Sequence, residues 1–311
     1  MQPNCKRIMK KIKHLLFLVS LLFFMNSCGD DDDNTTRVPP RDAEEVRLEN
    51  EIDIQTFLET YYFEVVDNPA NPNFERIVFK KLDDPDAPAD ASPIIEAEEL
   101  TTKNLTHNEV DYQMYILNLR EGATTERKPT FADSVLITYQ GYTMEQSVFD
   151  GTPTPLWLDL SSTIVGFRET LVEHSGSSGF VENPDGTFAF NEDYGTGAVI
   201  IPSGLAYFNQ PPTNSGIGLY EPIIFTYQLY RSRLVDHDRD GIPSYMEDLN
   251  GTRKLDDVDT DEDGFFNYVD SDDDGDEVPT SEEIIIGEDG SISFPDTNGN
   301  GTPDYLDPTY P

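Results

Sequence analysis

At 311 residues the chain is long enough for two domains. Its 60 acidic and 21 basic residues give a formal net charge of −39. A field of that sign repels nucleic acid and anionic membrane surfaces, so it excludes phosphate-directed binding and suits divalent cations or plain solubility. The acids fall in patterned runs, which weighs toward cations.

The first 28 residues read as a leader. Cations between Lys6 and His14 precede an apolar stretch over 15–25, too short to span a bilayer as a permanent helix. The stretch ends in Met25-Asn26-Ser27-Cys28. A small residue before a cysteine at that place resembles a bacterial lipobox. The resemblance implies a signal peptide over 1–27, lipidation of Cys28 and membrane attachment through the lipid alone. An ordinary cleaved leader with a stray cysteine is the other reading. Cys5 and Cys28 are the two cysteines, so loss of the first and acylation of the second leave no thiol for a disulfide. Asp30 to Asp33 follow directly. They resemble an export tag for the outer face of the bacterial outer membrane, or form a charged tether, and both readings stand. Residues 28–41 lack apolar periodicity and are expected to be a flexible tether.

Residues 42–66 read as a helix: Val46, Ile52, Leu58 and Tyr62 fall near helical spacing, and Asp42 can cap it. A loop rich in Asn and Pro follows over 67–72. Ile77-Val78-Phe79 is a short strand, 83–93 a loop, and 111–119 alternates as a strand. No catalytic constellation appears here. Residues 42–132 are therefore read as an N-terminal extension, helix plus strands, that helps build the β-domain after it by adding strands to its edge.

Residues 133–231 are strand-rich, with one helix expected over 166–174 and the closing strand over 223–229. A polar segment over 176–193 reads as an insertion, and 209–216 as a further loop. In order the block carries Val135-Leu136-Ile137-Thr138-Tyr139-Gln140-Gly141, Val148-Phe149-Asp150-Gly151, Ile164-Val165-Gly166-Phe167, Leu205-Ala206-Tyr207 and Ile223-Ile224-Phe225. This resembles an FKBP-type peptidyl-prolyl isomerase domain. The resemblance implies an α+β fold, an antiparallel sheet wrapped on a short helix. It also implies pocket walls at Tyr139, Phe149 and Phe225, and a floor at Phe167. Asp150 would be a buried carboxylate held by the Tyr139 hydroxyl. Ile164 would offer backbone polar groups, Tyr207 a hydroxyl for a substrate carbonyl, and Ile217 an apolar flap contact. The chain departs from the family pattern in having Phe167 where better-known members carry Trp, and Phe208 where Gly is usual. The aromatic expected on the strand through Trp157 and Leu158 has no unique alignment.

Aromatic residues suit this chemistry. The X–Pro amide turns slowly because of its partial double bond, with a barrier of ~18–20 kcal/mol. The twisted amide is less polar than the planar one, so a dry aromatic pocket favours it without nucleophile, metal or other cofactor.

From Asp236 onward an Asp-rich pattern recurs. Asp236, Asp238 and Asp240, then Gly241, Ile242 and Glu247, match the calcium-loop order of ligands at positions 1, 3, 5, 7 (carbonyl) and 12 with Gly at 6. Asp259, Asp261, Asp263, Phe265 and Asp270 repeat it. A third loop reads from Asp270 through Asp272, Asp274 and Asp276; its twelfth residue is Ser281, so Glu282 or Glu283 must close it. Asp296, Asn298, Asn300, Thr302 and Asp307 form a fourth. Pro243, Pro279 and Pro303 stand where EF-hand helices would begin. The segment 232–311 resembles the calcium-binding repeats of the thrombospondin type 3 class, which implies structural Ca2+ and poor folding without it.

The expected protein is an α+β, FKBP-like foldase with a calcium-loop tail, anchored as a bacterial outer-membrane lipoprotein, with surface exposure following from the export-tag reading of Asp30 to Asp33. It would act on Xaa-Pro-containing polypeptides, with no nucleic-acid partner. The alternative is a catalytically weak FKBP-like module that grips peptide or protein, with the tail as a spacer.

Overall fold

The computed structural model describes residues 39–67, 75–184, 186 and 188–310. Cys28, the signal peptide and most of the acidic tether lie outside the described residues. Among the described residues no helix is long and apolar enough to cross a membrane.

Helix α1 (Ala43–Thr60) begins at the expected cap, where the Asp42 carboxylate accepts the Glu45 N–H at 2.9 Å. Val46, Asn50, Ile54, Phe57 and Leu58 form its buried face, while Ile52 is exposed. The helix stops at Thr60, short of residue 66. Tyr61-Tyr62-Phe63 and Val65-Val66 are strand formers, and β1 (Tyr61–Asp67) pairs antiparallel with β2 (Glu75–Lys81) instead.

The main sheet has six antiparallel strands in the order β3 (Leu100–His107), β4 (Val110–Arg120), β9 (Gly195–Ile201), β10 (Ile223–Arg233), β5 (Ser134–Thr143) and β6 (Val148–Asp159). Two of the six precede Asp133, so the sheet crosses the boundary drawn there. Successive side chains point to opposite faces, and both faces are covered. Met114, Ile116, Val199, Ile201 and Phe225 face helix α2 (Val165–Leu171). Tyr115, Leu117, Ala198, Ile200 and Ile224 face α1 and β2. Double coverage explains why all seven residues of β9 are buried.

The segment 176–193 carries a hairpin, β7 (Phe180–Glu182) with β8 (Phe188–Phe190), and Phe190 stacks on Tyr230 at 4.7 Å. Beyond β10 the chain forms turns, a short helix α3 (Thr280–Glu283) and a hairpin, β11 (Ile285–Ile286) with β12 (Ile292–Ser293). Its apolar content is small: Ile242, Ile284 and Tyr305 are buried together with Phe294 and Leu306 beside them. It is docked on the sheet. His237 Nε2 lies 2.8 Å from Asp159 Oδ2, Arg253 Nε donates to Glu169 at 2.9 Å, and Leu255 packs on Phe131. Arg41–Pro311 form one compact unit.

Candidate functional site

The ordered aromatic set converges at one end of the sheet. Phe225 on β10 pairs with Gly141 on β5, which pairs with Asp150 on β6. A Cβ on Gly141 would stand 2.6 Å from the Phe149 ring and 2.8 Å from the Phe225 ring, so glycine there gives the rings their room. Phe167, from the first turn of α2, stacks on Phe225 at 4.5 Å. Phe149 meets Phe225 edge-on at 5.5 Å, and Tyr139 stands 5.8 Å from Phe167 and 5.9 Å from Phe225. Phe167 and Phe225 are buried; Tyr139, Phe149, Ile164 and Tyr207 are half-buried around them. The result is a deep pair of rings with a half-open aromatic rim, and Ile217 packs into the same cluster.

The Tyr139 hydroxyl donates to Asp150 Oδ2 at 2.9 Å, and the Gly151 N–H donates to Oδ1 at 2.8 Å. Asp150 itself is exposed, which corrects its reading as a buried carboxylate. Its strand is the sheet edge, so the group sits on the rim with water on one side. Burial pushes the Tyr139 hydroxyl well above its ordinary pKa, and the bond to Asp150 adds to this. Burial and then the Asp150 charge raise Tyr207 as well. Both phenols therefore stay protonated donors at neutral pH.

Two nearby apolar residues lie outside the aromatic cluster. Phe208, at φ 49°, packs edge-on against Tyr220 at 4.9 Å, and Leu219 is 63% exposed. On β6 the inward residue is Leu158; Trp157 is exposed, with the Arg233 guanidinium over its ring at 4.6 Å. Asn50 of α1 braces the neighbouring loop, accepting from the Ser203 N–H at 2.7 Å and donating to the Tyr220 carbonyl at 2.8 Å.

The C-terminal turns share one geometry. Their first residues are Asp236, Asp259, Asp272 and Asp296. In each, the N–H of position six (Gly241, Gly264, Glu277, Gly301) donates to the first carboxylate at 2.9 to 3.1 Å. The N–H of position two is capped by the side chain of position nine: His237 by Ser244, Thr260 by Asn267, Asp273 by Thr280, Thr297 by Asp304. Positions four and six have positive φ throughout.

This corrects the third loop, which starts at Asp272 rather than Asp270. Its positions three and five are Asp274 and Asp276, its seventh residue is Val278, and Glu283 closes it in place of Ser281. Gly275 misleads in sequence because it looks like position six. It is position four, at φ 70°, and a Cβ there would stand 2.4 Å from an Asp261 oxygen of the second loop. Glu277 takes the left-handed position six without being glycine.

Three carboxylate groups coincide with the first three loops: Asp236, Asp238 and Asp240; Asp259, Asp261 and Asp263; Asp272, Asp274 and Asp276. Buried oxygens of Asp238, Asp240, Glu247, Asp259, Asp272, Asp274, Asp276 and Glu283 have no hydrogen-bond partner among the described residues. Asp270, the expected closing acid of the second loop, is not in that loop's carboxylate group; burial and then the Asp263 and Asp261 charges raise its pKa. Oxygen-only donors in this order fit a hard cation such as Ca2+. The fourth loop differs. Asn298 and Asn300 both donate to Asp307 at 2.7 Å, and that loop closes on its own hydrogen bonds. Asp273, which sequence reading passed over as a spacer, is buried in the first loop's cluster with Asp240 and Glu247.

A family model described as BamM C-terminal matches residues 237–294, which run from the first loop through β12. No curated protein matches the chain. Among solved structures, the chain is similar to a peptidyl-prolyl cis-trans isomerase from Pseudomonas syringae pv. tomato, at 21% identity and a TM-score of 0.32, over 42% of this chain and 80% of that one. It is similar to FkpA from Escherichia coli at 19% identity and a TM-score of 0.33, over 44% of this chain and 53% of that one. A multi-domain immunophilin from Arabidopsis thaliana is 12% identical with a TM-score of 0.33, over 46% of this chain and 50% of that one. The chain thus spans about half the length of the last two.

Proposed function

We propose that the chain is an FKBP-type prolyl isomerase for exported polypeptides, tethered through Cys28 to a bacterial outer membrane and carrying a calcium-folded C-terminal segment. One observation carries the enzymatic part. The Tyr139–Asp150 hydrogen bond sits on the rim of the Phe167–Phe225 stack, while Phe208 packs on Tyr220 and Leu219 is exposed.

Each side chain then has a physical task. The proline ring packs on Phe167 between Tyr139 and Phe149, which strips water from the amide. An amide that loses water loses part of the solvation that favours its planar, polar form. The Tyr207 hydroxyl, which has no hydrogen-bond partner among the described residues, donates to the carbonyl beside the bond and holds one end of the peptide while the other turns. Asp150 fixes the Tyr139 ring and places a negative edge beside the substrate. Calcium, when bound, supplies charge neutralisation in the C-terminal loops and takes no part in the turn of the amide.

The test is turnover of several Xaa-Pro peptides by pure mature protein and by Asp150→Ala, both checked for folding by melting. Acceleration by the wild type that falls in the variant supports the enzyme. Peptide binding without acceleration would instead establish a binding module.

A further inference from the structure

We propose that Asp273 of the third loop is a ligand in trans for the first loop, so that Asp240, Glu247 and Asp273 together hold one divalent cation that fastens the C-terminal segment into a single unit. This rests on the calcium reading of the segment and deepens it, by naming a ligand that the loop pattern does not contain. Asp273 is position two of its loop, a place the pattern leaves to any residue.

Ligand atoms of the three carboxylates lie within 4.8 Å of one another. That is the spread available around one ion with oxygens at ~2.3–2.6 Å. All three residues are 2% exposed. Both oxygens of Glu247, both of Asp273 and one of Asp240 are buried without a hydrogen-bond partner. The other Asp240 oxygen accepts the Ile242 N–H at 2.7 Å. Buried carboxylates that close together, with no cationic partner among the described residues, need a cation or a proton. Ile242 and Met246 of the first loop, Ile284 after the third and Tyr305 of the fourth form one apolar cluster in the same segment. Water is excluded from a position where negative charges converge from separate loops. Position two of the other loops carries His237, Thr260 or Thr297, so this cross-link belongs to the third loop alone.

The experiment counts calcium bound by the full mature chain at rising free calcium, using equilibrium dialysis with elemental analysis. It compares wild type, Asp273→Asn and Asp289→Asn, the last an exposed acid of the same segment. The expected result is that Asp273→Asn binds one calcium at least tenfold more weakly while Asp289→Asn matches wild type. Wild-type binding that Asp273→Asn leaves unchanged overturns the trans ligand and leaves the loops standing. No calcium bound by the wild type at millimolar concentration overturns both. If Asp273→Asn does not fold, a crystal of the wild type grown with calcium decides by anomalous signal. An ion at ~2.3–2.6 Å from an Asp273 oxygen supports the proposal, and its absence there overturns it.

Discussion

The six-stranded sheet and the C-terminal segment both bury polar side chains, but they differ in what is left without a partner among the described residues. In the sheet the orphaned atoms are neutral, on Asn118 and Gln228, while Thr138 donates to the Gln228 oxygen at 2.7 Å and lies 2.9 Å from the Tyr230 hydroxyl. In the segment they are carboxylate oxygens. Of the buried carboxylate oxygens without partners among the described residues, all but the one on Asp133 lie between Asp238 and Glu283. The sheet is held by apolar area removed from water on two faces, which needs nothing from solution. The segment has few buried apolar residues and many converging charges, so on the proposed calcium reading its folding free energy comes from what binds it. Depth of burial alone says little about stability; the pairing of what is buried decides it.

Chelation should separate the two regions most. With calcium removed, limited proteolysis is expected to cut 236–310 at least tenfold faster while 133–231 stays intact. Equal resistance of both regions with and without chelator would break the comparison.

Acid should then move them in opposite directions. Burial lowers the His174 pKa to about 4, so its fold favours the neutral ring. The unfolded chain takes that proton near 6.5, so the sheet loses stability as pH falls from ~6.5 to ~4, by roughly 3 kcal/mol in all. In the chelated segment the sign reverses. Burial and neighbouring acids raise Glu247 to about 10 and Asp273 to about 8. The folded segment therefore holds more protons than the unfolded one, and its stability is present in acid and lost as pH rises through these values. Proteolysis in chelator at pH 5 and pH 8 reads the segment, and melting of His174→Gln against wild type reads the sheet. Parallel slopes in the two regions would contradict the account.

Smaller changes sharpen the sheet's side. Gly141→Ala forces a methyl into the Phe149 and Phe225 rings and is expected to cost about 1–3 kcal/mol by melting, with loss of turnover. Tyr207→Phe keeps the ring and removes one hydrogen bond. It should lower kcat/KM by about 0.5–1.5 kcal/mol, a factor of roughly 2–13, with the melting temperature unchanged.

Much of this was legible in the amino-acid order because it is local. The Asp42 cap, the β4 and β10 strands and the aromatic sequence from Tyr139 to Phe225 follow from spacing and residue type. What was not legible depends on partners distant in the chain. Tyr61 to Val66 continue a helical rhythm by eye, yet β2 offers them a ladder. The exposure of Asp150 follows from β6 being an edge strand, which no local pattern announces. The third loop was misplaced by two residues because Gly275 serves clearance for Asp261 rather than the turn at position six. An acid at position twelve counted from Asp272 (Glu283), against Ser281 at position twelve counted from Asp270, was the signal that could have corrected it. Asp273 left no signal, since its partners belong to another loop.

The central claim is that a self-sufficient sheet carries the prolyl site while the C-terminal segment depends on cations. The direct measurement is isomerisation of an Xaa-Pro peptide by the mature protein, in calcium and after chelation, with proteolysis followed in parallel. The account predicts acceleration in both samples, with 236–310 cleaved in the chelated one alone. No acceleration over the uncatalysed rate in either sample, with the protein folded, would contradict it.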